Sequence, residues 1–162
     1  MRHAVAVPRR AVPALVQVVD LLNSLDVPFQ ITGVLAGRFY GAKRTLDEIE
    51  LTISASSIAL VARHLETSPE CQKDEQWERP VLNIDAAGVP VRLVGSASRC
   101  FDQRRRCWVG VRANLVHSTW IEWGGRQLPV EPRGPLMRML ERCGRDQEVR
   151  EILSISQSGL QS

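Results

Sequence analysis

Two glutamates two positions apart, Glu48 and Glu50 in "EIELTI", open the question of chemistry in this chain. In a strand, residues i and i+2 share a face, so both carboxylates project together while Ile49, Leu51 and Ile53 turn the other way. Adjacent acids repel unless a positive charge lies between them. A divalent cation such as Mg²⁺ supplies one, because hard ions prefer carboxylate oxygens and are shared with substrate phosphates. The plain structural alternative is the solvent face of an edge strand, with Glu48, Glu50 and Thr52 exposed. Upstream, Gly33 closes a β-prone run and opens a helical one, where backbone amides attract phosphate oxygens. Between the two stretches, Arg38, Lys43 and Arg44 are cations suited to a polyphosphate. Together these residues point to nucleotide chemistry.

A second candidate is "RCFDQRRRCWVGVR", residues 99–112, which gathers Arg99, Arg104, Arg105, Arg106 and Arg112 near Phe101 and Trp108. Basic side chains with aromatics clamp phosphates and stack bases of single-stranded RNA or a nucleotide. The alternative is a solvated hairpin loop with Trp108 packed inward. Arg138, Arg142 and Arg145 extend the basic character, while Trp120 and Trp123 read as packing residues beside a turn. Cys71, Cys100, Cys107 and Cys143 form no CxxC pair and lie far from His3, His64 and His117. That spacing argues against zinc and for free thiols. The histidines have no sequence partner that builds a catalytic triad.

The elements that must position these residues follow from periodicity. Leu15, Val18, Val19, Leu22 and Leu25 predict a helix over 13–26 with Pro13 in its first turn. "FQIT", then Gly33 and "VLAGRFYG", predict strand, turn and helix, and 48–53 alternates as a strand. "SSIALVARHLE" predicts a Ser-capped helix. "PVLNIDAAGVPVRLVG" and "STWIEWGGRQLPVEP" predict hairpins turning near Asp85 to Gly88 and at Gly124 and Gly125. "PLMRMLERCG" and "RDQEVREIL" predict closing helices, with a flexible tail after them. The order implies one α+β domain over residues 1–155, its mixed sheet packed against helices, with a helical C-terminal segment at 134–155 and a tail at 156–162.

The chain has 162 residues, with 24% charged and 44% hydrophobic side chains, a globular composition. Its formal charge of +3 favours anionic partners mildly. No apolar run reaches the roughly 20 residues that cross a bilayer. Pro13, Gln17 and Asp20 interrupt the apolar start, so it reads as an amphipathic helix rather than a secretory signal, and a cytoplasmic protein is expected.

The run from Leu25 to Ile53, "LDVPFQITGVLAGRFYGAKRTLDEIELTI", resembles the minimal nucleotidyltransferases of the polymerase-beta-like superfamily. Members carry a strand, a Gly-Gly or Gly-Ser turn opening a helix, and a strand bearing Asp-x-Asp, often as R-T-x-D-I-D. Here Gly33 and Val34 stand at the turn, and Arg44, Thr45, Glu48, Ile49 and Glu50 fall on the acidic motif. The resemblance implies transfer of NMP from an NTP to a protein, RNA or small-molecule acceptor, with Glu48 and Glu50 as catalytic metal ligands. Gly33, Val34, Arg38, Lys43, Arg44 and Arg92 would then hold nucleotide. The family's third acid completes a site for two Mg²⁺ ions. In this sequence its place falls on Arg92, and both Asp positions are Glu. An ion pair from Arg92 to Glu48 or Glu50 is the expected replacement for the metal. Three readings follow: a weak Mg²⁺-dependent transferase; an inactive nucleotide- or partner-binding module, as in toxin–antitoxin pairs; and an RNA-binding protein using the basic loop.

Overall fold

The computed structural model describes residues 6–160, with side chains to residue 155. Helix α1 (Val12–Ser24) carries Pro13 in its first turn and buries Ala14, Leu15, Val18, Val19 and Leu22. Each large apolar side chain buried in this way contributes about 1.5–3 kcal/mol before entropy is counted. The helix ends where Asp26 adopts φ 54° and the Val27 amide donates to the Leu22 carbonyl at 2.9 Å. Strand β1 (Gln30–Thr32) then runs into α2 (Gly33–Phe39), and Gly33 makes the junction at φ +65°. That left-handed conformation is easy for glycine and costly for residues with a Cβ. Strand β2 (Ile49–Ile53) is followed by α3 (Ala55–His64), whose Ser54 cap accepts from the Ser57 amide at 3.2 Å.

Strands β3 (Glu70–Lys73), β4 (Trp77–Ala86), β5 (Val89–Gly95), β6 (Ala97–Asp102) and β7 (Cys107–Arg112) follow, and then β8 (Thr119–Trp123) and β9 (Arg126–Val130). Helices α4 (Arg133–Arg142) and α5 (Asp146–Leu160) close the chain. Helix α5 continues past residue 156, where the sequence places a flexible tail, and residues 161 and 162 lie outside the described residues. The predicted β4–β5 hairpin turns on Ala87 and Gly88, both at positive φ, the geometry of a two-residue primed turn. At the β8–β9 turn Gly124 and Gly125 are also at positive φ.

One mixed sheet runs β7-β6-β4-β5-β2-β1-β9-β8, with β3 on the other edge of β4. The β2–β5 and β1–β9 pairs are parallel and the rest antiparallel. Register sorts its residues onto two faces, because directly opposed side chains point the same way. Ile31, Leu51, Leu93, Leu82 and Val130 fall on one face and are buried. Helices α1 and α3 pack on β4 and β5, and α2 packs on β1 and β2. Thr32, Glu50, Arg92 and Asn83 align across the other face. That polar row is the floor of a cleft beneath α4.

Two segments depart from the sequence reading. Residues 99–112 are largely a pair of strands, β6 and β7, rather than a loop, and Trp108 stands exposed rather than packed inward. Glu48 sits in the bend before β2 rather than in the strand itself, although its side chain still reaches the cleft. Among the described residues no helix is long and apolar enough to cross a membrane.

Candidate functional site

The cleft has a volume of about 690 Å³ and brings together the Gly33 turn, both glutamates of the acidic motif and Arg92. Val34 and Arg44 also line it. The turn and the acids therefore face the same space, as the spacing implies. Gly33 is packed hard against Glu50: a Cβ added at Gly33 would lie 3.0 Å from Glu50 Oε2 and 3.2 Å from Glu50 Cβ.

Glu50 has two protein partners. Thr32 Oγ1 donates to Oε2 at 3.0 Å, and Arg79 Nη2 donates to Oε1 at 3.0 Å. Thr32 in turn bonds Thr52 at 3.1 Å, so the buried hydroxyls on this floor are satisfied. Arg79 is itself fixed on three sides. Its Nε donates to Gln72 Oε1 at 2.8 Å, its guanidinium lies 4.2 Å from the centre of the Trp77 ring, and only 5% of its side chain is exposed. Strands β3 and β4 thus deliver a rigid cation to the second acid of the motif. Arg92 serves the first acid. Its Nη1 lies 3.3 Å from Glu48 Oε1, and its Nε donates to Asn83 Oδ1 at 3.2 Å. The expected ion pair from Arg92 falls on Glu48, and a second, from Arg79 on the neighbouring strand, falls on Glu50.

A third carboxylate enters from Glu131, which follows β9 and lines the cleft. Its amide donates to the Ile31 carbonyl at 2.9 Å, which aligns it beside Thr32 and Glu50. Burial first, and then the negative charge of Glu50, push its carboxyl up to about 7, against a smaller opposing pull from Arg138. Asp85, the other acid near the hairpin, stays at the β4–β5 turn and accepts from the Gly88 amide at 3.0 Å.

The basic residues predicted to hold phosphate divide into two groups. Arg38 lies outside the cleft, its Nε donating to the Ala6 carbonyl at 2.7 Å and its Nη1 to the Arg44 carbonyl at 2.8 Å, so it shapes the loop instead. Lys43 also lies outside the lining, and its backbone amide donates to Glu151 Oε1 at 3.2 Å. Arg44 lines the cleft and pairs with Glu148 of α5 at 3.1 Å. Sequence reasoning did not single out Arg79, Trp77, Thr32 or Glu131. Trp77 and Arg79, alternating along β4 toward the face that carries Asn83, were the only signal available for the first two.

Arg112, Arg138 and Arg142 line the cleft with no ion pair or hydrogen bond from their guanidinium groups among the described residues. Arg138 and Arg142 are four apart on α4, opposite its buried Leu136 and Leu140. The cleft therefore offers guanidinium groups without salt bridges, Arg138 facing Glu131, above a floor whose two motif acids are ion-paired.

Glu48 and Glu50 do not fit a metal site as they stand. Mg²⁺ needs carboxylate oxygens free to turn toward it, and here both motif acids are engaged by guanidinium groups. Among the described residues no three His, Cys, Asp or Glu side chains gather as a metal-holding group. All four cysteines are unpaired.

No protein-family model matches the sequence, and no curated protein matches it either. The structure is similar to that of a Thermotoga maritima protein described as a "putative nucleotidyltransferase", with a TM-score of 0.69 and 14% identity over 94% of this chain and 96% of that one. The chain has a nucleotidyltransferase-like α+β fold.

Proposed function

We propose that this protein is a nucleotide-binding module built on a nucleotidyltransferase-like fold, in which arginines have taken over the place of the metal and NMP transfer is no longer performed. The observation that carries the reading is the pairing of Glu50 with Arg79 and of Glu48 with Arg92, while Arg112, Arg138 and Arg142 face the same cleft unpaired. Internal ion pairs cancel the negative floor that would repel a triphosphate, and the free guanidiniums supply charge-assisted donors for its oxygens. Gly33 and Val34, at the start of α2, line the same space. Val34 at the family's second small position narrows the approach of phosphate to that backbone, which favours α4 as the principal phosphate-holding element.

The test is calorimetry with ATP, GTP, CTP and UTP, each with Mg²⁺ and with EDTA. Binding of at least one nucleotide with the same affinity in both conditions is expected, together with a fall of roughly tenfold for Arg138→Ala or Arg142→Ala, the loss of about one charge-assisted contact. Binding that appears only with Mg²⁺, and disappears in Glu50→Gln, would overturn the reading in favour of the Mg²⁺-dependent transferase.

A further inference from the structure

The β6–β7 hairpin carries a second surface, separate from the cleft floor. Register places Trp108 opposite Phe101, Gly110 opposite Arg99, and Arg112 opposite Ala97, so these six share one face. Cys100 opposes Trp77, so Trp77 and the cleft floor lie on the other face of the sheet, while Gly110 and Arg112 also border the cleft. Helices α1 and α3 cover this face only over β4 and β5, leaving the outer hairpin bare.

On that bare face Trp108 is 36% exposed and held upright by Phe101, with ring centres 5.7 Å apart at an interplanar angle of 68°. The Arg99 guanidinium lies 5.7 Å from the Trp108 ring centre. Gly110, two residues along, leaves open space: a Cβ there would meet nothing within 4 Å. Arg112 stands beyond it, at the border with the cleft. A flat indole thus borders a gap of about one side chain, flanked by guanidiniums, on a strand whose outer edge is free.

The turn at the hairpin tip adds charge by construction. Asp102 accepts from the amides of Arg104 and Arg105 at 2.9 and 3.0 Å, and Arg106 takes φ 58°. This folds three arginines into a tight turn. Arg104 bends back to Glu141 and Asp146, whereas Arg105, beside the Asp102 carboxylate, and Arg106 stay exposed without a salt bridge among the described residues.

We infer that this hairpin face binds a single-stranded polynucleotide, with a base stacked on Trp108 over the Gly110 gap and phosphodiesters held by Arg105, by Arg106 and, in exchange for its 3.3 Å pair with Glu78, by Arg99. An exposed aromatic with alternating cations serves that ligand, because every base has a π-face and every linkage a charge. An acidic protein segment would use the cations but not the vacant stacking space. A duplex would hide its bases from Trp108.

Fluorescence anisotropy with a labelled single-stranded RNA of mixed sequence, a DNA of the same sequence and the matching duplex tests the inference. Single strands should bind more tightly than duplex, and the RNA and DNA arms show which sugar is preferred. With three phosphate contacts, affinity should fall about twentyfold between 50 and 200 mM salt. Trp108→Ala should weaken binding about tenfold, with Trp108→Phe restoring most of the loss. Arg105→Glu, at an exposed turn where folding is not at stake, should weaken it and flatten the salt dependence. Duplex binding as tight as single-strand binding, equal binding of a polyglutamate chain, or Trp108→Ala and Arg105→Glu both without effect would overturn the inference. None of these readouts depends on nucleotide binding in the cleft, so the two readings fail separately.

Discussion

Replacing Arg79 by Met isolates the ion pair at the centre of the site. The change preserves much of the side chain's length and apolar stem but removes the cation that faces Glu50 at 3.0 Å. Glu50 then keeps only Thr32, with 16% of its side chain exposed and Glu131 close by. Breaking one partner of a buried pair costs about 3–5 kcal/mol, because the other charge stays desolvated without compensation. For a domain of this size that corresponds to a fall in Tm of roughly 6–20 °C. Glu50→Gln added to Arg79→Met removes the orphaned charge, so the double variant should recover at least half of the loss. Urea unfolding followed by circular dichroism on wild type, both single variants and the double variant gives the coupling energy directly. A loss below about 1 kcal/mol for Arg79→Met, or simple additivity of the two changes, would refute the argument that Arg79 neutralises Glu50. Millimolar Mg²⁺ provides a second check. Wild-type Tm should not respond to it, since an ion that bound only the folded state would raise Tm by mass action.

Other outcomes follow from the same geometry. Gly33→Ala forces a Cβ into the left-handed region and against Glu50, and should cost about 2–3 kcal/mol in urea unfolding. Glu131 has a folded pKa near 7, above its ordinary 4.5, so the folded state holds the extra proton between these values. Its contribution is present below about 4.5 and lost as pH rises through 7, a decline on the order of 3 kcal/mol that Glu131→Gln should abolish in a pH series of unfolding curves. The charged groups facing it from β2 and α4 are Glu50 and Arg138. In the native protein, a thiol reagent should label the exposed Cys71 and Cys107 rapidly and the buried Cys100 slowly, as read by mass spectrometry over time.

What the sequence makes legible here depends on how local the cause is. The Gly33 turn, α1, α3 and the β4–β5 hairpin each rest on residues a few positions apart, and periodicity or turn chemistry finds them. The pairing of Glu48 with Arg92 was accessible because the resemblance to a known motif aligned β2 with β5. Arg79 was not accessible, since its role depends on β4 bending from β5 to β6 while β3 covers its far edge. That arrangement is set by strand pairing between residues far apart in the chain. Glu131 escaped for a similar reason: only the parallel β1–β9 pair brings it to Thr32. Trp108 shows the limit of composition. Its type predicts burial or stacking equally, and only the place where helical cover ends decides between them.

Glu148 holds a further consequence. From a buried position on α5 its carboxylate accepts from Arg145 at 2.5 and 2.6 Å and from Arg44 at 3.1 Å, and both arginines line the cleft. One acid thereby tethers the loop ahead of Glu48 to the last helix. An anion that draws Arg44 away competes with Glu148 for the same donor, so filling the cleft and fastening the C-terminal helix become opposing events. By reciprocity, shortening that helix should sharpen the grip on the anion as much as the anion loosens the helix.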